Sequence, residues 1–104
     1  MTSITYGGLK YAQVRHAIYC KTCKTTVESK FITDFKMCSC NSVGVDGGTD
    51  RGNRIIGSHT LWEPRMMYVA VINKKKFWLP ESAIVNHFSK TLVGREAHAS
   101  FAVF

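Results

Sequence analysis

The sequence predicts an α+β protein, mostly β, in which a four-cysteine zinc ribbon is followed by a small β-hairpin, a helix and a terminal strand. Three observations predict this fold class. The four cysteines occur as two close pairs, most apolar residues lie in short β-prone runs bounded by turn residues, and one segment near the C terminus has helical spacing. We expect a ribbon-like unit with a lead-in strand over residues 1–57 and a small ββαβ unit over residues 58–104, packed together as one compact domain.

The first cysteine pair is predicted to lie between two strands. Residues 1–10 form a polar lead-in that is either loose or paired with a later edge. Residues 11–19 are predicted to form a strand that leads into the pair, and residues 25–29 resume in extended conformation. We then expect a second strand in which alternate side chains share one face: Phe31, Thr33, Phe35 and Met37.

Short strands and glycine turns are predicted to complete the ribbon. Residues 43–45 and 54–56 are β-prone, and residues 49–53 form a polar loop between them. Asp46-Gly47-Gly48 requires backbone angles that glycine permits. Its glycine spacing matches no phosphate-binding fingerprint, so we interpret this segment as a turn and not as a phosphate or metal site.

The second half predicts a hairpin, a helix and a final strand. Residues 58–64 read as a connector in which Leu61 and Trp62 pack against the protein. Two apolar runs, residues 66–72 and 77–79, flank a charged turn and predict the hairpin. The helical spacing of Ile84, Val85, Phe88 and Leu92 predicts a helix over Glu81–Val93 that stops at Gly94. Residues 99–104 are predicted to form a buried strand beside the hairpin.

The cysteine spacing predicts one structural Zn²⁺. Tetrahedral zinc takes four thiolates at about 2.3 Å, and two tight turns supply them with little strain. Disulfides and a redox dithiol are the open alternatives. No apolar secretory signal opens the chain, which favours a reducing compartment, and redox catalysis has no use for a second pair. The predicted metal ligands are Cys20, Cys23, Cys38 and Cys40.

Histidines are not expected to take part in the metal site or in catalysis. His16 precedes Cys20 by four residues, but its alternating segment predicts a solvent-facing strand residue. His87 is expected at the boundary of the helix's apolar face. His59, His98 and the aspartates form no recognisable catalytic spacing, so we do not expect an enzyme.

The basic charge predicts acidic partners. The formal net charge is +7, and four thiolates with one Zn²⁺ lower it by two to +5. A net positive charge of this size favours binding to phosphate backbones or to acidic protein surfaces. The candidate contacts are basic residues with aromatic neighbours, although a solvated turn explains the lysine run equally well. They are Lys21, Lys24, Arg51, Arg54, Lys74, Lys75, Lys76, Phe77 and Trp78.

Several short motifs around the cysteines carry a resemblance. These are Tyr19-Cys20-Lys21-Thr22-Cys23, Val27-Glu28-Ser29, Asp34-Phe35, Cys38-Ser39-Cys40 and Val45-Asp46-Gly47-Gly48 with Asp50. Over residues 17–57 the chain resembles a family of small uncharacterised zinc-ribbon-like proteins of bacteriophages and bacteria. Asn41 stands where that family has glycine, and Thr33 stands where it has histidine; neither change removes a metal ligand.

Together these features predict a non-enzymatic, phage-type accessory protein that binds nucleic acid or nucleic-acid machinery. A protein inhibitor of a host factor or defence system, with Trp62, Phe77 and Trp78 in its interface, is the first alternative. A small structural protein of the virion is the second. No apolar stretch approaches the ~20 residues that cross a bilayer, so we expect a cytoplasmic protein with no membrane partner and no small-molecule substrate.

Overall fold

The computed structural model describes residues 2–93 and 102–103, and in this part of the chain it confirms a predominantly β, α+β fold. The one α-helix among these residues is α1 (Glu81–Val93), and a 3₁₀ turn covers His59–Leu61. The described strands are β1 (Ser3–Tyr6), β2 (Leu9–Cys20), β3 (Thr26–Ser29), β4 (Lys36–Met37), β5 (Gly44–Asp46), β6 (Arg54–Ile56), β7 (Trp62–Pro64), β8 (Met67–Ile72), β9 (Lys75–Trp78) and β10 (Ala102–Val103).

Strand β2 is the axis of the larger sheet. Its first half pairs with β1 on one edge and with β8 on the other. Ala12, for example, is in register with Ser3 of β1 and with Val69 of β8. Its second half pairs with β3 and β7 in the same way, through Ile18. A bulge at Val14 separates the two halves. All of these pairings are antiparallel, and β9 extends the sheet beyond β8.

The connector predicted for residues 58–64 is more ordered than expected. After the 3₁₀ turn it becomes β7, whose Trp62 is in register with Cys20 at the end of β2. Trp62 is 3% exposed, which confirms that this segment packs against the protein. Strand β2, from the first half of the sequence, is therefore hydrogen-bonded to β7 and β8 from the second.

The smaller sheet has the order β10-β6-β5-β4 and lies against β2. Side chains from both sheets join one buried cluster, in which Ile18 of β2, Val45 of β5 and Ile55 of β6 are fully buried. His16 of β2 lies 2.8 Å from the carbonyl oxygen of Arg54, at the start of β6. The prediction that His16 faces solvent is wrong: it is 1% exposed, because the smaller sheet covers this part of β2.

The long second strand predicted for residues 31–37 is wrong. Only Lys36–Met37 are in a strand, and the chain from residue 31 to 33 bends and turns. Phe31 and Phe35 are more than half exposed and do not line a core face. Local hydrogen bonds explain the turn, since Asp34 accepts from the backbone N–H of Lys30 and the Ser29 hydroxyl donates to the Asp34 carbonyl.

The predicted hairpin and helix are confirmed with small changes. The hairpin turn uses two residues, Asn73 and Lys74, both with positive φ, and β9 begins at Lys75. On α1, Ala83, Ile84 and Phe88 are buried, while Val85 is 40% exposed and does not join the apolar face as predicted. Phe88 packs edge-on against Trp62 with ring centroids 6.2 Å apart.

The predicted partner of the C-terminal strand is wrong. Residues 102 and 103 pair with β6 of the smaller sheet, through Ala102 opposite Ile55, and not with the β8–β9 hairpin. The rest of the strand predicted for residues 99–104, and the helix stop at Gly94, lie outside the described residues. Within the described part of the chain, no helix is long and apolar enough to cross a bilayer.

Candidate metal centre and basic surfaces

The four predicted metal ligands come together in one cluster. Their Sγ atoms all lie within 4.8 Å of one another. Cys40 Sγ is 3.6 Å from Cys20 Sγ and 3.4 Å from Cys38 Sγ. Four thiolates around one tetrahedral Zn²⁺, with bonds of about 2.3 Å, have sulfur–sulfur distances of about 3.8 Å. The cluster therefore has the donor atoms and the spacing of a single tetrahedral metal site, and all four cysteines are free thiols.

Two similar turns build the cluster. The backbone N–H of Cys20 donates to the carbonyl of Thr25, and that of Cys38 donates to the carbonyl of Val43. The residue after each pair, Lys24 or Asn41, has a φ of 59° and donates its N–H back to the carbonyl of the first cysteine. Asparagine tolerates this left-handed conformation better than most residues, which suits Asn41 to its position.

The cysteines differ in burial and in thiol chemistry. Cys20 and Cys38 are buried, Cys23 is half-buried and Cys40 is exposed. Burial raises the pKa of Cys20 to about 11. A hydrogen bond from Ser39 lowers the pKa of Cys23 to about 5, assisted by Thr25. Hydrogen bonding with Ser42, whose Oγ lies 3.2 Å from Cys40 Sγ, lowers the pKa of Cys40. Hydrogen bonds with hydroxyl groups thus favour thiolates on the exposed side of the cluster.

The predicted basic contacts are exposed but do not form one patch. Lys21 and Lys24 lie in the first cysteine turn, at the end of β2. Lys74 lies in the β8–β9 turn, and β8 runs antiparallel to β2, so this turn is near the start of β2. Eleven residue steps of β2 span roughly 35 Å. The structure therefore places these two groups of lysines at opposite ends of the larger sheet.

Most of these cations have no carboxylate partner. Among the described residues, ion pairs join Arg15 to Glu28, Lys36 to Asp34, Arg54 to Asp46 and Arg65 to Glu63. Of the predicted contacts only Arg54 is engaged, with its Nη2 2.5 Å from Asp46 Oδ2. Arg51 borders a cavity together with Lys10, a residue that the sequence did not single out.

Strand β9 presents its predicted contacts on both faces of the sheet. Phe77 is in register with Ala70, and Trp78 with Val69. Because successive residues of a strand point to opposite faces, Lys75 and Phe77 share one face while Lys76 and Trp78 share the other. Phe77 and Trp78 are 43% and 50% exposed, so each ring is accessible together with one neighbouring lysine.

Sequence reasoning missed two groups of residues. The loop after β3 exposes Phe31, Ile32 and Phe35. The alternating pattern assigned Phe31 and Phe35 to one strand face and did not single out Ile32. A buried polar network joins Gln13, His16 and Asn53 beneath the cavity that Arg51 borders. The only signal for this network was polar residues within otherwise apolar strand patterns, and such residues are ordinarily exposed.

The fold and the cysteine cluster define a small α+β protein with a candidate four-thiolate metal centre. A family model described as "Domain of unknown function (DUF7695)" matches residues 12–56, which is less than half of the chain. The matched region runs from β2 to β6 and includes all four cysteines. No curated protein and no solved structure matches the chain.

Proposed function

We propose that the protein is a non-enzymatic, zinc-stabilised module of the cytoplasm that binds nucleic acid through its unpaired surface cations. The observation that carries this proposal is the placement of Lys21, Lys24 and residues 74–76. They are exposed at both ends of the larger sheet and are not neutralised by carboxylates of the described chain. Cations held in this way are available to replace the counterions of a phosphate backbone.

The thiolate cluster supports zinc as the metal. Four sulfur donors at tetrahedral spacing suit zinc better than they suit hard cations such as Mg²⁺ or Ca²⁺, which take oxygen ligands. When all four positions are filled by Cys20, Cys23, Cys38 and Cys40, none is left for substrate, so the metal would have a structural role. A cytoplasmic location keeps such thiols reduced. The resemblance to phage and bacterial zinc-ribbon proteins is consistent with this role.

Metal analysis of the purified protein tests the zinc site. We expect one equivalent of zinc, and the buried Cys38→Ser variant should lose it. Ser39→Ala, at the neighbouring position, should retain the metal because Ser39 is not a ligand. Less than one equivalent of zinc, with disulfide bonds found in its place, would contradict the proposal.

Fluorescence anisotropy with random-sequence DNA and RNA, at two salt concentrations, tests nucleic-acid binding. Affinity should fall steeply with salt, because each phosphate contact contributes about one unit to the slope of log K against log salt. The double variant Lys75→Gln/Lys76→Gln should bind less tightly and have a shallower slope. Absence of binding to either nucleic acid at low salt would reject the function.

A matched control separates specific contacts from net charge. Arg15→Gln/Lys36→Gln also removes two positive charges, but Arg15 and Lys36 are already paired with Glu28 and Asp34. This control should retain most of the affinity of the unaltered protein. An equal loss in both double variants would show that only overall charge matters.

A protein inhibitor is a second candidate function, favoured by the loop after β3. Phe31, Ile32 and Phe35 are 59%, 64% and 53% exposed, and the Gly48 N–H donates to Ser29 Oγ to fix the base of the loop. Exposed apolar residues on an ordered loop are typical of a protein interface. If this candidate is right, Ile32→Ser should abolish capture of a host protein while leaving stability and nucleic-acid affinity unchanged.

A further inference from the structure

A polar cavity of about 320 Å³ lies where the N-terminal residues, the loop before β6 and helix α1 meet. Its size is at the lower end of the range for small-molecule sites. The charged side chains on its described walls are those of Lys10 and Arg51, and no described lining residue is a carboxylate. His16 and His87 also line it, and burial lowers the pKa of each, which favours the neutral ring. The cavity is therefore suited to an anionic ligand.

The buried base of the cavity is rigid. Gln13 Oε1 accepts hydrogen bonds from Asn53 Nδ2, at 2.9 Å, and from the hydroxyl of Thr2. Gln13 Nε2 donates to the carbonyl of Arg15 and faces Nδ1 of His16. Gln13, His16 and Asn53 are each at most 2% exposed. The network holds the walls in place without requiring a ligand, so the cavity is formed in advance.

Two residues that line the cavity, Tyr68 and Asn53, each have a polar atom with unused hydrogen-bonding capacity. In the described part of the chain, the Tyr68 hydroxyl forms no hydrogen bond although Tyr68 is only 3% exposed. Burial raises its pKa far above neutrality, so the hydroxyl keeps its proton as a donor. Asn53 Oδ1 likewise accepts no hydrogen bond, since the bonds of this side chain are made by Nδ2. Neither atom is sealed from solvent.

The larger cavity nearby is a weaker candidate for an anion. It measures about 390 Å³ and shares the Tyr68 wall, but Met66, Met67 and Ile84 make it more apolar. It also contains a carboxylate, Glu81, beside its two arginines. The smaller cavity combines cations, a hydroxyl donor, an amide acceptor and the rings of Tyr68 and Phe88. Phosphate needs the cations and the hydroxyl donor. A heterocyclic base uses the amide acceptor and the edges of the two rings, since Tyr68 and Phe88 are each only 3% exposed.

We propose that the smaller cavity binds a nucleoside monophosphate unit, either free or as the phosphorylated end of a strand. The phosphate lies against Lys10 and Arg51, and the base lies against Tyr68 and Phe88 with its amino or imino group directed to Asn53 Oδ1. The choice of this ligand rests on the proposed nucleic-acid binding. The sequence alone contains no indication of a small-molecule ligand.

Calorimetric titration with the four nucleoside 5′-monophosphates tests the cavity, with nucleosides and inorganic phosphate as probes of each half of the ligand. At least one monophosphate should bind more tightly than either half alone. Arg51→Gln should weaken binding about tenfold or more, which corresponds to the loss of one charge-assisted hydrogen bond, and Tyr68→Phe by a similar factor. Lys36→Gln also removes one positive charge, but Lys36 lies outside the cavity and is paired with Asp34, so this variant should have no effect. Unchanged thermal denaturation would establish that the variants are folded.

Oligonucleotides with and without a 5′-phosphate distinguish the two sources of the ligand. Tighter binding of the phosphorylated strand, lost in Arg51→Gln, supports a strand end; binding of free monophosphates alone supports a nucleotide site and rejects the proposed nucleic-acid function. If neither free monophosphates nor a 5′-phosphate has any effect while random duplexes still bind, the cavity proposal is overturned and the nucleic-acid function stands. If nothing binds, both are overturned.

Discussion

At the scale of single residues, the fold depends on the protonation state of His16. Its Nε2 lies 2.8 Å from the carbonyl oxygen of Arg54, so Nε2 carries the proton and donates it. Its Nδ1 lies 3.3 Å from the amide nitrogen of Gln13 and accepts from it. A second ring proton would bring two donors face to face. Burial lowers the pKa of His16 below 6.5, and the hydrogen bond to Arg54 only partly offsets this.

The lowered pKa predicts a stability loss in weak acid. The unfolded chain takes up a proton near pH 6.5 while the folded protein does not, so the unfolding free energy falls as pH decreases from about 6.5 to the folded pKa. The slope from this one group is at most about 1.4 kcal/mol per pH unit. Urea denaturation of the zinc-loaded protein and of His16→Gln, from pH 7.5 to 5.5, measures it. Thiolate protonation affects both proteins, so parallel curves would contradict the prediction.

The backbone of the first cysteine turn predicts a stabilising substitution. Lys24 has a φ of 59°, a conformation that costs an L-residue about 1–2 kcal/mol and glycine nothing. Lys24→Gly should therefore raise the unfolding free energy by about 0.5–1 kcal/mol after the entropy cost of glycine. Lys21→Gly, which removes the same charge at a position without positive φ, should lower it. Denaturation in excess zinc measures both variants. If Lys24→Gly and Lys21→Gly change the unfolding free energy equally, the explanation from backbone conformation is ruled out.

At the scale of elements, the loop after β3 and the turn before β6 are held together by Gly48. A Cβ at this position would lie 2.8 Å from the backbone carbon of Phe31, which cannot move without displacing its loop. Gly52 also has positive φ but has open space around it. Gly52→Ala should cost about 1 kcal/mol, and Gly48→Ala about 1–3 kcal/mol more. Similar unfolding free energies for the two variants would show that the contact is unimportant.

Local patterns predicted the elements whose partners are adjacent in sequence. The β8–β9 hairpin and α1 were predictable because a turn or a helical period fixes them within about a dozen residues. The cysteine cluster was predictable because metal-ligand spacing is a local property of each turn. Long-range pairing was not: nothing local to residues 102–103 indicates β6 as their partner, and nothing local to His16 indicates that the smaller sheet covers it.

The loop after β3 shows a different limit of prediction. Residues 31–37 alternate as a strand does, yet the hydrogen bonds that Asp34 makes with Lys30 and Ser29 impose a turn. Hydrogen bonds from aspartate and serine side chains to the backbone compete with strand formation, and the pattern of hydrophobic residues does not reveal them. This turn leaves Phe31, Ile32 and Phe35 exposed, and the protein-inhibitor proposal rests on these side chains.

At the scale of the whole molecule, the cysteine cluster and the second half of the chain are joined by hydrogen bonds at the end of β2. Cys20 is in register with Trp62, and the Lys21 N–H donates to the carbonyl of Leu61 at 2.9 Å. Trp62 in turn contacts Phe88 of α1. Structural zinc contributes about 10–16 kcal/mol of apparent folding free energy, comparable with the whole stability of a domain. If the cluster holds zinc as proposed, loss of the metal should therefore unfold more than the cysteine turns.

Fluorescence of Trp62 measures how far that unfolding extends. The chain contains two tryptophans, and Trp78 is half exposed, so Trp78→Phe leaves the buried Trp62 as the reporter. During titration with a chelator, the emission of Trp62 should shift to the red with the same midpoint as zinc release. Trp62→Phe, which retains Trp78, serves as the control and should shift much less, because that ring is already solvated in the folded protein. Zinc release without a change at Trp62 would mean that the cysteine cluster folds independently of β7 and α1, and would contradict a single cooperative unit.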